Sequence, residues 1–178
     1  MSYDIYLKDP VTGKTAEAPR HLMWGGIYQA DYHPESGTFT PALNTEADLN
    51  ITYNYGHYYY EIYKEDGIRA IYGVSGFDSI VILEKMIDFL NKKYKKNGEW
   101  IRTKRKKTIY YDENGNEIEG IVALINKITL VKEEEVEFEV SEGDTSDYWL
   151  DTAANAIKPL YQLMTLAKMR PDCIWDGD

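Results

Sequence analysis

Apolar residues recur at spacings of three and four in two stretches of the chain. From about Phe77 to Tyr94, Ile80, Leu83, Ile87 and Leu90 share one face while Glu84, Lys85 and Asp88 point away, the pattern of a helix that buries one side. From Ser146 to Met169, Trp149, Ala153, Ile157, Leu160, Leu163 and Met164 repeat it. Thr145 and Ser146 offer cap oxygens at the start of this second helix, and Pro171 stops it. Pro159 lies inside it at a cost of about 3 kcal/mol in a straight helix. The pattern therefore predicts either a kink or two helices meeting near Lys158. Trp175, in the short polar tail, is predicted to fold back and pin that tail.

Elsewhere the period is two. Tyr3 to Leu7 reads as a strand closed by a turn at Asp9-Pro10 and Gly13. Leu49 to Tyr55 alternates, with Leu49, Ile51, Tyr53 and Tyr55 on one face. Gly56 breaks it, His57 to Glu65 reads as a helix, and Gly67 is its stop. Residues 14–47 show no sustained period and are punctuated by Gly25-Gly26, Pro34, Gly37 and Pro41. They read as a surface excursion with an extended piece around Trp24 to Ala30, which places His21 and His33 in loops.

After Asn97-Gly98 the pattern changes. Glu99 to Tyr111 reads as a basic strand, Asn114-Gly115 as a hairpin turn, Ile121 to Ile125 as a second strand and Lys127 to Val140 as a third. In the third, Val136, Phe138 and Val140 share one face and Glu133, Glu135, Glu137 and Glu139 the other. Residues 97–143 thus read as a three-stranded antiparallel module inserted into one domain spanning 1–178. The fold class is α+β, a small helical core with short strands plus that module. In a simple meander the basic first strand and the glutamate-bearing third are not neighbours.

Composition narrows the function. With 43% hydrophobic and 28% charged residues in 178, the chain is long enough and apolar enough for a real core. Sixteen Tyr against four Phe and four Trp suit half-buried faces and interfaces. One cysteine, Cys173, excludes an internal disulfide framework. The start lacks a basic segment followed by an apolar run, and no stretch approaches the roughly 20 apolar residues of a membrane span, so a cytoplasmic protein is expected. The net charge of −10 is uneven: −7 over 1–91, +8 over 92–108, −9 over 109–145 and −2 over 146–178. Such a surface disfavours direct nucleic-acid binding and favours a basic partner.

No spacing selects a catalytic set. Three histidines and one cysteine lie far apart, and no Ser sits in a nucleophile elbow. Tyr72-Gly73-Val74-Ser75-Gly76 lacks the lysine and spacing of a phosphate loop and reads as a turn in which Ser75 or Asp78 caps the next helix. Asp172, Asp176 and Asp178 lack the pattern of a calcium loop. No catalytic, cofactor or metal residue is assigned. The candidate partner-binding residues are Glu133, Glu135, Glu137 and Glu139, a row that could mimic a line of phosphates, and then Tyr53, Tyr55 and Tyr59 from the six tyrosines between residues 53 and 63. The plainer readings are a solvated sheet edge and a tyrosine-rich core.

Three pieces carry a resemblance. Leu49-Asn50-Ile51-Thr52-Tyr53-Asn54-Tyr55, Ile71-Tyr72-Gly73-Val74-Ser75-Gly76, and a tail with Tyr148-Trp149, Asn155-Ala156, Leu160-Tyr161, Met169-Arg170-Pro171-Asp172 and Trp175-Asp176-Gly177-Asp178 look like small proteins of bacteriophages and mobile elements. The likeness covers roughly residues 1–10, 46–91 and 146–178, and 92–145 looks like an insertion. The longer form resembles a type II anti-CRISPR protein. The resemblance implies stoichiometric, non-enzymatic binding to the RNA-guided nuclease in the bacterial cytoplasm that blocks target DNA recognition or cleavage, and the acidic, tyrosine-rich composition fits competition for the Lys/Arg surfaces that hold DNA. A homodimer remains open, and the competing class is a phage accessory protein, either a small enzyme or a host-interaction scaffold.

Overall fold

Trp175 is only 1% exposed, because the tail that carries it forms an edge strand beside the strand that opens the chain. The computed structural model describes residues 2–26 and 29–178. Two units are distinguished, Met1–Trp100 with Gly143–Asp178, and Ile101–Glu142. Among the described residues helix makes up 33% and strand 36%, in several small antiparallel sheets beside four helices, an α+β fold.

The first unit opens with β1 (Ser2–Lys8), β2 (Glu17–His21), β3 (Ala30–His33), β4 (Thr38–Pro41), β5 (Asn44–Glu46) and β6 (Asp48–Thr52). It continues through α1 (Gly56–Tyr63), α2 (Gly76–Tyr94) and a minimal hairpin of β7 (Lys95–Lys96) and β8 (Glu99–Trp100). The second unit holds β9 (Arg102–Asp112), β10 (Glu117–Ile118), α3 (Gly120–Asn126) and β11 (Leu130–Ser141). The chain re-enters the first unit with α4 (Ala153–Met169) and β12 (Ile174–Gly177).

In the first unit the sheet order is β12-β1-β6, antiparallel throughout, with Leu7 opposite Trp175 and Ile5 opposite Leu49. Tyr3, Ile5, Leu7, Leu49 and Ile51 are buried, as are Leu83, Met86 and Leu90 of α2 and Leu160, Leu163 and Leu166 of α4. Helices α2 and α4 pack along each other, and α4 also meets β6. Each such side chain contributes about 1.5–3 kcal/mol by leaving water. Ser75 caps α2, accepting from the Asp78 amide at 3.0 Å and donating to its carboxylate at 2.7 Å. At Gly76 a Cβ would lie 2.4 Å from the Arg170 carbonyl, so only glycine lets α2 start against the end of α4. The turn before it binds the tail: Gly73 N–H donates to Trp175 O at 2.9 Å, and Trp175 N–H to Val74 O at 3.0 Å.

Several sequence expectations are corrected here. The strand from Leu49 ends at Thr52, whose side chain accepts from the Asn54 amide, and Tyr53–Tyr55 turn as a 3-10 helix. The C-terminal helix starts at Ala153 with Thr152 as its cap, seven residues later than the apolar spacing suggests. Thr145 instead accepts from the Asp147 amide and Asp147 from the Trp149 amide. These local bonds compete with helix and leave Trp149 64% exposed. Pro159 sits inside one continuous α4. His21 and His33 end strands and do not lie in loops. Of the extended piece expected over Trp24 to Ala30, the described residues 24–26 and 29 are not in a strand and Ala30 opens β3, while Ile27 and Tyr28 lie outside the described residues.

In the second unit Ile121 to Ile125 belong to α3 and form no middle strand. A short apolar run has the same composition in a buried helix turn as in a strand. Here a left-handed Lys127, φ 53°, closes it as a helix. The sheet order is consequently β10-β9-β11, and the basic strand and the glutamate strand are direct neighbours.

Candidate protein-interaction surface

Strand alternation puts Arg102, Lys104 and Lys106 of β9 on the same sheet face as Glu135, Glu137 and Glu139 of β11, with Lys104 opposite Glu139 and Lys106 opposite Glu137. The carboxylates reach diagonally: Arg102 to Glu139 at 3.1 Å, Lys104 to Glu137 at 2.9 Å and Lys106 to Glu135 at 2.6 Å. All six side chains are more than half exposed, so each pair contributes no more than about 0–1 kcal/mol. Glu133, opposite Tyr110, extends the row beyond the cations. Three of the four glutamates are thus met by cations of β9. The sequence shows both the basic strand and the glutamate strand, and the expected middle strand is what separates them in the sequence reading; the order β10-β9-β11 makes them neighbours.

The opposite face differs. Val136, Phe138 and Val140 lie there with Thr103, Arg105 and Lys107 across from them. Glu142, 1% exposed, accepts from Arg105 at 2.9 Å and from the Thr103 hydroxyl. This buried carboxylate anchors the end of the sheet. At the other end Lys132 sits 5.0 Å over the Tyr111 ring.

The tyrosine cluster mostly faces inward. Tyr55 and Tyr59 are 1% and 0% exposed, which corrects their assignment to a binding surface, because a side chain with no exposed area cannot touch a partner. Their hydroxyls are structural. Tyr55 donates to Tyr148 O, Tyr58 to Asp151 O at 3.0 Å and Tyr59 to Ala156 O at 2.8 Å. Together they tie the loop before α4 and the first turn of α4 to α1 and the turn preceding it. Burial holds the Tyr59 hydroxyl well above its ordinary pKa. Tyr53 is half-buried, its ring edge-on to Tyr3 at 4.2 Å, and alone of the three retains surface.

Cys173 is buried and its thiol is pushed up to about 11 by burial, the reverse of an activated nucleophile. His21 is engaged with Glu46 O at 2.9 Å and with the Met23 amide. Among the described residues no three His, Cys, Asp or Glu side chains are gathered as metal ligands would be. A cleft of about 440 Å³ is lined by Gly26, Tyr55, Thr145, Tyr148, Asn155 and Lys158. Its polar groups already serve the fold: Lys158 donates to Thr145 O and the Asn155 amide oxygen and pairs with Asp144. The Asn155 amide nitrogen holds Asp147 O and Leu150 O. Among the described residues no helix is long and apolar enough to cross a membrane.

Compared with known proteins, the chain matches no family model, no curated protein and no solved structure.

Proposed function

We propose that this protein acts by binding another protein, and that the partner is a type II RNA-guided DNA nuclease which it inhibits without catalysis, as a phage- or mobile-element-encoded anti-CRISPR protein in the bacterial cytoplasm. One observation carries the reading. The three stretches that resemble phage and mobile-element proteins are separate in sequence but meet in the fold: β6 pairs with β1, β1 with β12, and the Tyr72-to-Gly76 turn bonds to β12. All three lie in one unit, together with residues 11–45, whereas residues 101–142 of the 92–145 stretch form the second. A core built from the resembling stretches, with a separate inserted unit, suits an inhibitor that binds its target. The acidic balance of −10 further supports a partner whose DNA-holding surfaces are rich in Lys and Arg.

The test is a purified cleavage assay with nuclease, guide and target DNA. Cutting should fall when the protein is added before DNA, for at least one of several nuclease orthologues. Undiminished cutting by all of them at a large molar excess would refute the proposal.

A further inference from the structure

Strand β11 is twelve residues long and has one strand neighbour, β9. On its other side about half of its backbone amides and carbonyls meet no strand among the described residues, a ready template for one more strand. Ten of its twelve residues are exposed. Natural edges are commonly blunted by proline, by a bulge or by shortness. Leu130–Ser141 has no proline and no glycine, and its register shift is confined to the Leu130/Lys132 end. Its protection is charge of one sign on one face.

That charge selects what can add. A second copy of β11 laid antiparallel with the same face outward would set glutamate against glutamate, which is unfavourable. A strand with Lys or Arg at every second position would repeat on the open side what β9 does on the closed side. Each ladder contact with β9 uses one oxygen, Oε1 of Glu135 and Oε2 of Glu137 and Glu139, and a carboxylate can accept from more than one donor. The intervening residues of such a strand would cover Val136, Phe138 and Val140, of which Phe138 is 39% exposed. We infer that the open edge of β11 is the docking site for an extended, basic strand of the partner protein, with Lys or Arg alternating with apolar residues, which joins the sheet beside β11. The mode is strand addition, with main-chain bonds supplying affinity and the glutamates supplying selectivity. This inference rests on the reading of the protein as a binder and names the chemistry its partner presents.

The experiment uses the full chain and a capped ten-residue peptide alternating Lys with Val and Thr, followed by amide hydrogen exchange. Exchange should slow at least tenfold at alternate amides of β11, with binding that weakens as salt rises. Replacing the peptide's Lys by Glu should abolish it. Methylating the peptide amides on the edge facing β11 should also abolish it, whereas methylating the opposite edge should not, and neither control alters the protein. Equal binding of both methylated peptides, or protection along β9 with none along β11, would overturn the inference. Peptide capture together with uninhibited nuclease would leave the edge assigned and refute the nuclease as partner. Inhibited nuclease without peptide capture would do the reverse.

Discussion

Glu137 stands opposite Lys106 in the strand register, yet its carboxylate binds Lys104, two residues along β9, at 2.9 Å. The same diagonal offset recurs at Glu135 and Glu139, so the three pairs form one ladder. A double-mutant cycle of Lys104→Ala and Glu137→Ala should give a coupling of about 0.2–1 kcal/mol in urea unfolding. The coupling should vanish near 1 M salt, where screening reaches about 3 Å. Coupling well above that range would mean that the ladder is buried in the working state.

Glu142 should matter more than any rung of that ladder. It is 1% exposed and bound to Arg105, itself mostly covered. Glu142→Ala should cost roughly 1.5–3 kcal/mol, the range for a hydrogen bond to a charged group. Thermal unfolding with probes in both units would show the loss concentrated in Ile101–Glu142.

Tyr59→Phe removes only a hydroxyl, from a wholly buried ring bonded to Ala156 O. A loss of about 0.5–1.5 kcal/mol is expected, read as a fall of a few degrees in Tm. Tyr53→Phe, at the half-buried edge, should cost less.

Stability should decline at both ends of the pH scale. Burial pushes the Tyr72 hydroxyl up to about 12 and the Cys173 thiol to about 11, and Tyr59 is also held well above its ordinary value. The folded state therefore keeps protons that the unfolded chain loses above the ordinary values of 9.0 and 10.0, and stability falls as pH rises through that window. At the acid end Arg170 beside Asp172 holds its carboxyl down to about 2. That contribution is present above the ordinary 3.8 and is lost as pH falls toward 2. Denaturant midpoints from pH 2 to 12 would check both signs.

Much of the core was legible because period and caps agreed. Helix α2 begins where Ser75 and Asp78 announce it, and Trp175 is buried as a tryptophan in a polar tail should be, its indole N–H donating to Ser79 at 2.7 Å. The misread elements share one cause. Ser146 to Leu150 and Ile121 to Ile125 have local patterns compatible with two structures; in the first, side-chain bonds from Thr145, Asp147, Asn155 and the Tyr55 hydroxyl decide, and in the second the left-handed Lys127 closes a helix. The second error mattered for the site, since removing the middle strand is what brings the glutamates against Arg102, Lys104 and Lys106. Burial of Tyr55 and Tyr59 agrees with the plainer reading of a tyrosine-rich core, although tyrosine serves core and surface alike and the pattern does not say which of the six are buried.

The central claim is that the protein inhibits by binding, one copy to one nuclease. Titrating it into a fixed concentration of assembled nuclease and guide, well above the dissociation constant, should lower the cleavage rate linearly to a break at one equivalent. Progressive loss of cutting at substoichiometric amounts would indicate an enzyme, and a flat rate past many equivalents would contradict the account outright.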